Sequence, residues 1–440
     1  MGEALVATTV SRRSDQKPAA PEQVAGGGLL HRRSLLTGSA AVAGAAAISG
    51  LSAGQVEAAA LEVPPWMQTP GAGFRSYGMP SGHEAEVQRG ILQPYGDLAP
   101  GAGVSMTPLH QLNGTITPNG LHFERHHNGV PDIDPAAHKL LLHGLVARNL
   151  VFNVDDLMRY PMTSRLCFIE CSGNSFFNAF AEPQQMPCGM IHGLVSCSEW
   201  TGVSLAVLLD EAGIDPAGTW LLGEGADSAG MSRSVPVAKA MDDAIIALYQ
   251  NGERIRPEQG YPMRLLLPGF EGNMSVKWLR RLKVTDGPTH TKDETSKYTD
   301  LMPGGKARQF TYTMGVKSAI VRPSFGMTMS GPGVYEISGL AWSGAGAIEK
   351  VEVSADGGAS WAEAALQGPI LPKSLTRFRM AWDWSGGPAT LQSRATDDQG
   401  RVQVQRSDWA AQYGPGQIYH YNAIQSWLIA DSGEISNVFV

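Results

Sequence analysis

The chain of 440 residues contains only four cysteines, Cys167, Cys171, Cys188 and Cys197, and no two of them make a C-x-x-C pair. Without C-x-x-C-H there is no covalent haem site, so electrons released in any redox reaction must leave to another polypeptide. Cys167 and Cys171 lie four apart in a strand-like run, and an extended backbone holds such positions too far apart for a direct bridge. The pairing of Cys188 and Cys197 is open. Positive charge is also scarce. The formal net charge is −7, and 37 acidic against 29 basic residues follow position 58. No basic stripe of the kind that tracks a phosphate backbone is present, which argues against nucleic acid as a partner. Long apolar runs are absent after residue 58, so no membrane span is expected in the body of the chain.

One weakly apolar Ala/Gly-rich run does occur near the N-terminus, with no charged residue between Arg33 and Glu57. It follows His31-Arg32-Arg33-Ser34-Leu35-Leu36 and ends at Ala58-Ala59-Ala60. Paired arginines, a modest apolar region and an A-x-A-like site match a twin-arginine export leader. A membrane anchor is the alternative, but the Gly, Ser and Thr content makes the run poorly hydrophobic. Residues 1–58 are therefore assigned to a leader, left out of the fold, and the protein is expected in the periplasm.

The remaining length exceeds what one hydrophobic core serves, which predicts two domains. Residues 59–110 are rich in Pro and Gly and read as an irregular arm. From 111 to 312 strands and short helices mix without regular βαβ alternation, the mark of an α+β domain. Leu140–Val146 and Leu150–Val154 read as paired strands, followed by a short helix capped by Asp155. Ser204 and Gly213 bracket a helix over Leu205–Ala212, and Asn251-Gly252 is a strong hairpin signal after Ile245–Tyr249. From 313 to 440 the texture is β throughout, in short alternating runs separated by Gly/Asp turns. That spacing predicts an immunoglobulin-like sandwich, whose usual place beside a catalytic domain is at a subunit contact.

Chemistry concentrates at Cys171, in Arg165-Leu-Cys-Phe-Ile-Glu-Cys171-Ser-Gly-Asn174. A thiolate where an apolar strand gives way to a Gly-containing turn is a good soft ligand for a redox metal. Export after folding suits a protein whose cofactor is inserted in the cytoplasm. Taken singly, Cys171 is also what an ordinary buried strand cysteine looks like. Further segments stand in order along the chain: Phe123-Glu-Arg-His-His-Asn128, Ser198-Glu-Trp-Thr-Gly-Val203, Glu224-Gly-Ala-Asp-Ser228, Tyr261-Pro-Met-Arg-Leu-Leu-Leu-Pro-Gly269 and Ser275-Val-Lys-Trp278. With Glu170-Cys-Ser-Gly-Asn174, they resemble the sulfite-oxidase family of molybdenum-pterin enzymes. Gly339-Leu-Ala-Trp-Ser-Gly344 and Val351–Gly358 resemble that family's dimerisation domain. The Pro65-Trp-Met-Gln-Thr-Pro-Gly71 arm and the lack of a fused haem domain resemble the family's sulfane-dehydrogenase branch.

The resemblance implies Mo-molybdopterin as cofactor, with Cys171 as the protein's metal ligand. It implies that Arg125, His127, Arg264 and Lys277 hold the pterin and its phosphate by charge-assisted hydrogen bonds. Asp227 would accept from pterin N–H groups, the Ser275-Val276-Lys277 backbone would grip the cofactor, and Gln259 stands where the family usually has His. Tyr298 matches a family tyrosine near the equatorial oxygen, able to assist proton movement, and Arg125 also faces the substrate. Read one at a time, Arg264 and Lys277 would be surface charges, His127 a loop histidine and Tyr298 a half-exposed loop tyrosine.

Two pocket residues depart from the family. An ungapped count from Cys171 to Trp200 puts Phe176 where a sulfite pocket has Arg, and Met190 where it has Trp; a third pocket arginine falls near His420. Fewer fixed cations weaken recognition of a small dianion, and Phe with Met suits polarizable sulfur. The expected substrate is therefore sulfane sulfur on a carrier protein, oxidised with oxygen from water. A c-type, dihaem cytochrome subunit is the expected acceptor, and the C-terminal domain the expected homodimer contact. Rival readings are a free-sulfite dehydrogenase, a reductase of the same superfamily, and a secreted binding protein that has lost its cofactor.

Overall fold

The computed structural model describes residues 22–31, 63–414 and 416–440. Arg32, Arg33 and the apolar run after them lie outside the described residues, as does Pro415. Residues 63–102 form a largely exposed arm of 3₁₀ turns and short strands. Its Gly90–Leu92 strand starts a three-stranded sheet with Gly103–Met106 and Glu124–His126.

Two five-stranded sheets follow. The first runs Ser232–Pro236, Trp220–Gly225, Leu279–Thr285, Leu140–Gly144, Leu150–Phe152, with one parallel pair between Leu279–Thr285 and Leu140–Gly144. The second runs Glu253–Arg254, Ile245–Gln250, Val195–Ser204, Met162–Glu170, with Arg264–Leu266 on Ile245–Gln250. Alternation decides which faces are covered: Leu140 and Leu142 are fully buried while the alternate residues Leu141 and His143 are not, as a half-covered strand requires. Asn251 (φ 48°) and Gly252 (φ 83°) make the tight turn between Ile245–Gln250 and Glu253–Arg254. Both residues have positive φ, which two-residue hairpin turns of the primed type demand. The Leu205–Ala212 helix ends on Gly213 at φ 69°. The short helix after Leu150–Phe152 is capped by Asn153, not Asp155. Asn153 Oδ1 accepts the Asp156 N–H and the Asp156 carboxylate accepts the Asn153 N–H, a reciprocal box that leaves Asp155 in the first turn.

Beyond residue 313 two antiparallel sheets pack face to face. One is built on Lys317–Arg322, Gly333–Trp342 and Thr376–Trp384; the other runs Ala362–Glu363, Ile348–Ser354, Ala389–Asp397, Ser426–Ile429, Ile435–Val438. Trp342, Trp382 and Trp427 are fully buried in this sandwich, and each indole N–H finds an acceptor: Glu170, Gly27 and Ile320 respectively. A buried indole without an acceptor would forfeit part of what its apolar area contributes.

The fold is α+β followed by a β-sandwich, and two features cut across the bounds drawn from the sequence. The sandwich core is not closed at residue 313. Leu109, Phe168, Cys188, Ile191, Val195 and Cys197 belong to the same apolar cluster as Trp342 and Trp427, so the two units share a core. Residues 22–31, set aside with the leader, have a place in the fold: Gln23–Ala25 and Leu29–Leu30 extend the first sandwich sheet beside Thr376–Trp384. Among the described residues no helix is long and apolar enough to cross a membrane.

Candidate functional site

The Met162–Glu170 strand ends one residue before Cys171, and the chain then turns back, with the Asn174 N–H donating to the Cys171 carbonyl. Cys171 N–H donates to Leu194 O at 2.9 Å. The half-buried Sγ is thus fixed where the backbone leaves the sheet. All four cysteines are free. Burial pushes the Cys171 thiol up, so an anionic sulfur here calls for a bound cation beside it.

Cys171 opens onto a partly enclosed cavity. Ten residues singled out from the sequence line it, Arg125, His127, Cys171, Asp227, Gln259, Arg264, Ser275, Val276, Lys277 and Tyr298, whereas Phe176, Met190 and His420 are not among its lining residues. They arrive from different elements. Arg125 sits on the short Glu124–His126 strand, Arg264 starts the Arg264–Leu266 strand, Asp227 follows Trp220–Gly225, and Ser275–Lys277 follow a 3₁₀ turn at Gly272–Met274. Tyr298, at φ 54°, lies in the loop after Lys292–Thr295. Gly260, at φ 111°, sits so close to Lys277 that a Cβ added there would lie 3.0 Å from Lys277 Cβ. A side chain at Gly260 would therefore push Lys277 out of line.

Arg264 and Lys277 are not surface charges. Arg264 is 3 % exposed; it donates to Gln259 O at 3.0 Å and Ser275 O at 2.8 Å and stacks over Trp200 at 5.1 Å. Its Nε and His122 Nε2 have no hydrogen-bond partner among the described residues. Burial lowers Arg264 to about 9. Lys277 Nζ donates to Arg125 O and Glu258 O at 3.1 Å and to His126 Nδ1 at 2.8 Å. Burial, and then Arg264, depress Lys277 well below the ordinary lysine value. Gln259 Nε2 is committed to Phe123 O at 2.9 Å, leaving its Oε1 facing Arg264 at 3.4 Å. Asp227 Oδ1 accepts from Met231 N–H at 3.2 Å.

Arg125, Arg264 and Lys277 line one cavity, and among the described residues lining it Asp227 is the one carboxylate, with Glu124 behind His126. The depressed lysine and the orphaned guanidinium N–H are the physical sign of a site short of negative charge. A phosphorylated pterin fits that deficit. A metal bound here must draw most of its ligands from such a chelate, because no cluster of three or more His, Cys, Asp or Glu suited to a metal exists among the described residues.

At the other end of the cavity Tyr298 OH lies 2.9 Å from His127 Nε2. Burial, then Arg125, hold His127 at about 3, and burial pushes the Tyr298 phenol far up. The neutral imidazole therefore accepts from the neutral phenol, a coupled pair that can hold or pass one proton. Arg233 stacks under the Tyr298 ring at 5.2 Å and pairs with Glu271 at 2.9 Å. His420, mapped to a lost pocket arginine, is not in the cavity wall. Its N–H donates to Ser172 O at 2.8 Å and its Nε2 lies 3.6 Å from Glu271. Burial alone would lower His420, but Glu271 outweighs it and the pKa is raised. Burial would raise Glu271, yet Arg233 and His420 hold it at about 2. Phe176, Met190 and Cys171 are each partly buried against one apolar cluster that includes Met106, Phe177 and Trp200.

Sequence reasoning passed over Glu124 and His126, which stand in the same segment as Arg125 and His127. His126 Nε2 meets Glu124 Oε2 at 2.8 Å and its Nδ1 meets Lys277, so the ring aligns the lysine. The alternation of charge in Glu124-Arg-His126 was the available signal. Asn273, whose Nδ2 reaches Ser172 Oγ at 3.3 Å and Glu271 at 2.8 Å, carried no sequence signal.

These features define a molybdopterin oxidoreductase site joined to a β-sandwich, and comparison with known proteins agrees. A family model described as the oxidoreductase molybdopterin binding domain matches residues 127–292. One described as the Mo-co oxidoreductase dimerisation domain matches 308–426. The solved sulfane dehydrogenase SoxCD from Paracoccus pantotrophus is 44% identical, with a TM-score of 0.84, over 86% of this chain and 98% of that one. Mitochondrial sulfite oxidase of Rattus norvegicus is 31% identical over 289 residues, 61% of this chain and 52% of that protein. Nitrate reductase [NADH] of Ulva prolifera is 29% identical over 307 residues, 62% of this chain and 34% of that protein. The chain thus spans about half the length, or less, of these two curated relatives. It belongs to the sulfite-oxidase family of molybdopterin oxidoreductases, and its cofactor is Mo-molybdopterin.

Proposed function

We propose that the protein is the molybdenum subunit of a periplasmic sulfane dehydrogenase, oxidising sulfane sulfur bound to a carrier protein. The observation that carries this reading is the convergence of ten residues from separated segments on one cation-rich cavity that Cys171 enters, with Phe176 and Met190 packed, like Cys171, against one apolar cluster. Cys171 binds the metal; Arg125, His127, Arg264 and Lys277 hold the pterin and its phosphate, with Asp227, Gln259 and the Ser275–Lys277 backbone completing the cradle. When bound, the molybdenum centre supplies two-electron oxygen-atom transfer. The protein's own part is positioning, charge and proton handling. Each oxygen added to sulfur comes from water, which gives up two protons while the sulfur gives up two electrons. Tyr298 and His127 stand where one of those protons can be taken over. The electrons pass to a c-type cytochrome subunit, since the chain has no haem site of its own. Two chains pair through the sandwich.

The likeness to a solved sulfane dehydrogenase and the apolar side chains in place of an arginine and a tryptophan support a sulfane over a free dianion. The test is steady-state kinetics of the purified, molybdenum-loaded protein with a persulfidated carrier, free sulfite and sulfoxides, using a c-type cytochrome as acceptor. Turnover with the carrier and little with sulfite is expected. Rapid cytochrome reduction by sulfite with none by the carrier would assign the protein as a sulfite dehydrogenase instead.

A further inference from the structure

Residues Glu22–His31 precede the paired arginines, yet they sit in the sandwich as if built for it. Gln23–Ala25 and Leu29–Leu30 form a hairpin about Gly26–Gly28, closed by His31 N–H to Glu22 O at 3.0 Å. Leu29 pairs with Trp382 at the end of Thr376–Trp384, on the half of that strand that Ala365–Gln367, paired with Arg377–Arg379, leaves uncovered. Leu29 and Leu30 are buried to within 1 %, and Leu29 is part of the sandwich core.

The turn fits its seat closely. Gly26 N–H donates to Ser360 Oγ and Gly27 O accepts from Trp382 Nε1, both at 2.7 Å. Gly27 (φ 70°) and Gly28 (φ 89°) have left-handed backbone that favours glycine. An added Cβ would meet Ala355 O at 2.7 Å from Gly27, and would fall on the Asp383 carbonyl oxygen from Gly28. The seat itself is stiffened by the Asp356 carboxylate, which accepts from Ser354 Oγ, Ser360 N–H and Ser360 Oγ. Main-chain and indole hydrogen bonds, two side-chain sockets and a glycine-only turn are what strand addition to a sheet edge uses for affinity and specificity.

We infer that the sandwich carries a peptide-docking site, made by the Trp382–Asp383 edge with Ala355, Asp356 and Ser360, and that its occupant in the unprocessed chain is the chain's own Glu22–His31 segment. The docked strand covers a sheet edge that would otherwise offer free backbone groups to another chain. It also ties the chain as far as His31 to the C-terminal domain. Docking does not depend on the reaction the cavity performs, and its test does not involve turnover.

Hydrogen–deuterium exchange, followed by mass spectrometry on the full, molybdenum-loaded chain, tests the site. In the wild type, amides within 22–31 should exchange on the order of 100-fold more slowly than in a free peptide, as for packed rather than fraying backbone. Gly28→Val should return 22–31 to the free-peptide rate and speed exchange at 382–384, while molybdenum content stays unchanged. Ser360→Ala, which removes one acceptor and leaves the turn intact, should fall between the two. Free-peptide exchange of 22–31 in the wild type, or full protection retained in Gly28→Val, would overturn the inference.

Discussion

Lys317 and Glu170 are each about 1 % exposed and lie at the junction of the two units, next to the cysteine that enters the cavity. Lys317 Nζ donates to Glu170 Oε1 at 3.2 Å and to Ser175 Oγ at 2.6 Å. The carboxylate is completed by Asn174 Nδ2 at 2.9 Å and by Trp342 Nε1 at 2.7 Å. Replacing Lys317 with Met keeps the volume and removes the cation paired with Glu170, leaving its carboxylate among the neutral donors Asn174 and Trp342. Breaking one partner of a buried pair costs about 3–5 kcal/mol, because the remaining charge stays desolvated. Lys317→Met is therefore expected to lower unfolding stability by about that amount, read from urea unfolding followed by tryptophan fluorescence. Adding Glu170→Gln removes the stranded charge while retaining an acceptor for Trp342 and Asn174. The double variant should recover at least about 2 kcal/mol of the loss, a coupling typical of groups in one network. A single variant within about 1 kcal/mol of wild type, or a double variant with additive losses, would refute the reasoning.

Three further outcomes are expected. Cys171→Ser should abolish molybdenum retention and turnover while the fold survives; metal analysis showing unchanged content would contradict the ligand assignment. Phe176→Arg with Met190→Trp should raise kcat/KM for free sulfite by about tenfold or more and lower it for the carrier, since a fixed cation favours a dianion; unchanged preference would show that these positions do not select the substrate. Burial holds His122 and His192 at about 3, so on acidification the unfolded chain takes up protons first, from near the ordinary histidine value. Stability should thus fall as pH drops below about 6.5, by up to about 2 kcal/mol per histidine at pH 5. A stability curve flat between pH 7 and 5 would exclude this.

How much could be read in advance depended on how local each signal was. The Leu205–Ala212 helix and the Asn251-Gly252 turn follow from neighbours a few residues apart. Asn153 was missed as a cap because it sits inside an apparent strand run, and its role depends on where that strand stops. The shared core was invisible because Phe168 and Val195 read as ordinary catalytic-domain strand residues. Only packing shows that they face Trp342. The hairpin at 22–31 was hidden for a related reason: an isolated Gly-Gly-Gly-Leu-Leu stretch has no fold of its own, and its partners lie more than three hundred residues away.

The sequence by itself determined the chemistry available: one thiol at a strand end, scattered Arg, Lys and His in a fixed order of segments, no C-x-x-C-H haem motif, and two kinds of secondary-structure texture. These depend on residue identity and short spacing, which survive without coordinates. Tertiary structure alone decided that the cations share one cavity, that Lys277 is aligned by His126, that His420 stands behind Ser172 rather than in the wall, and that Glu170 ties the site to the sandwich. Charge depends on distance and desolvation, and both are set by which distant segments the folded backbone brings within a few ångströms of one another.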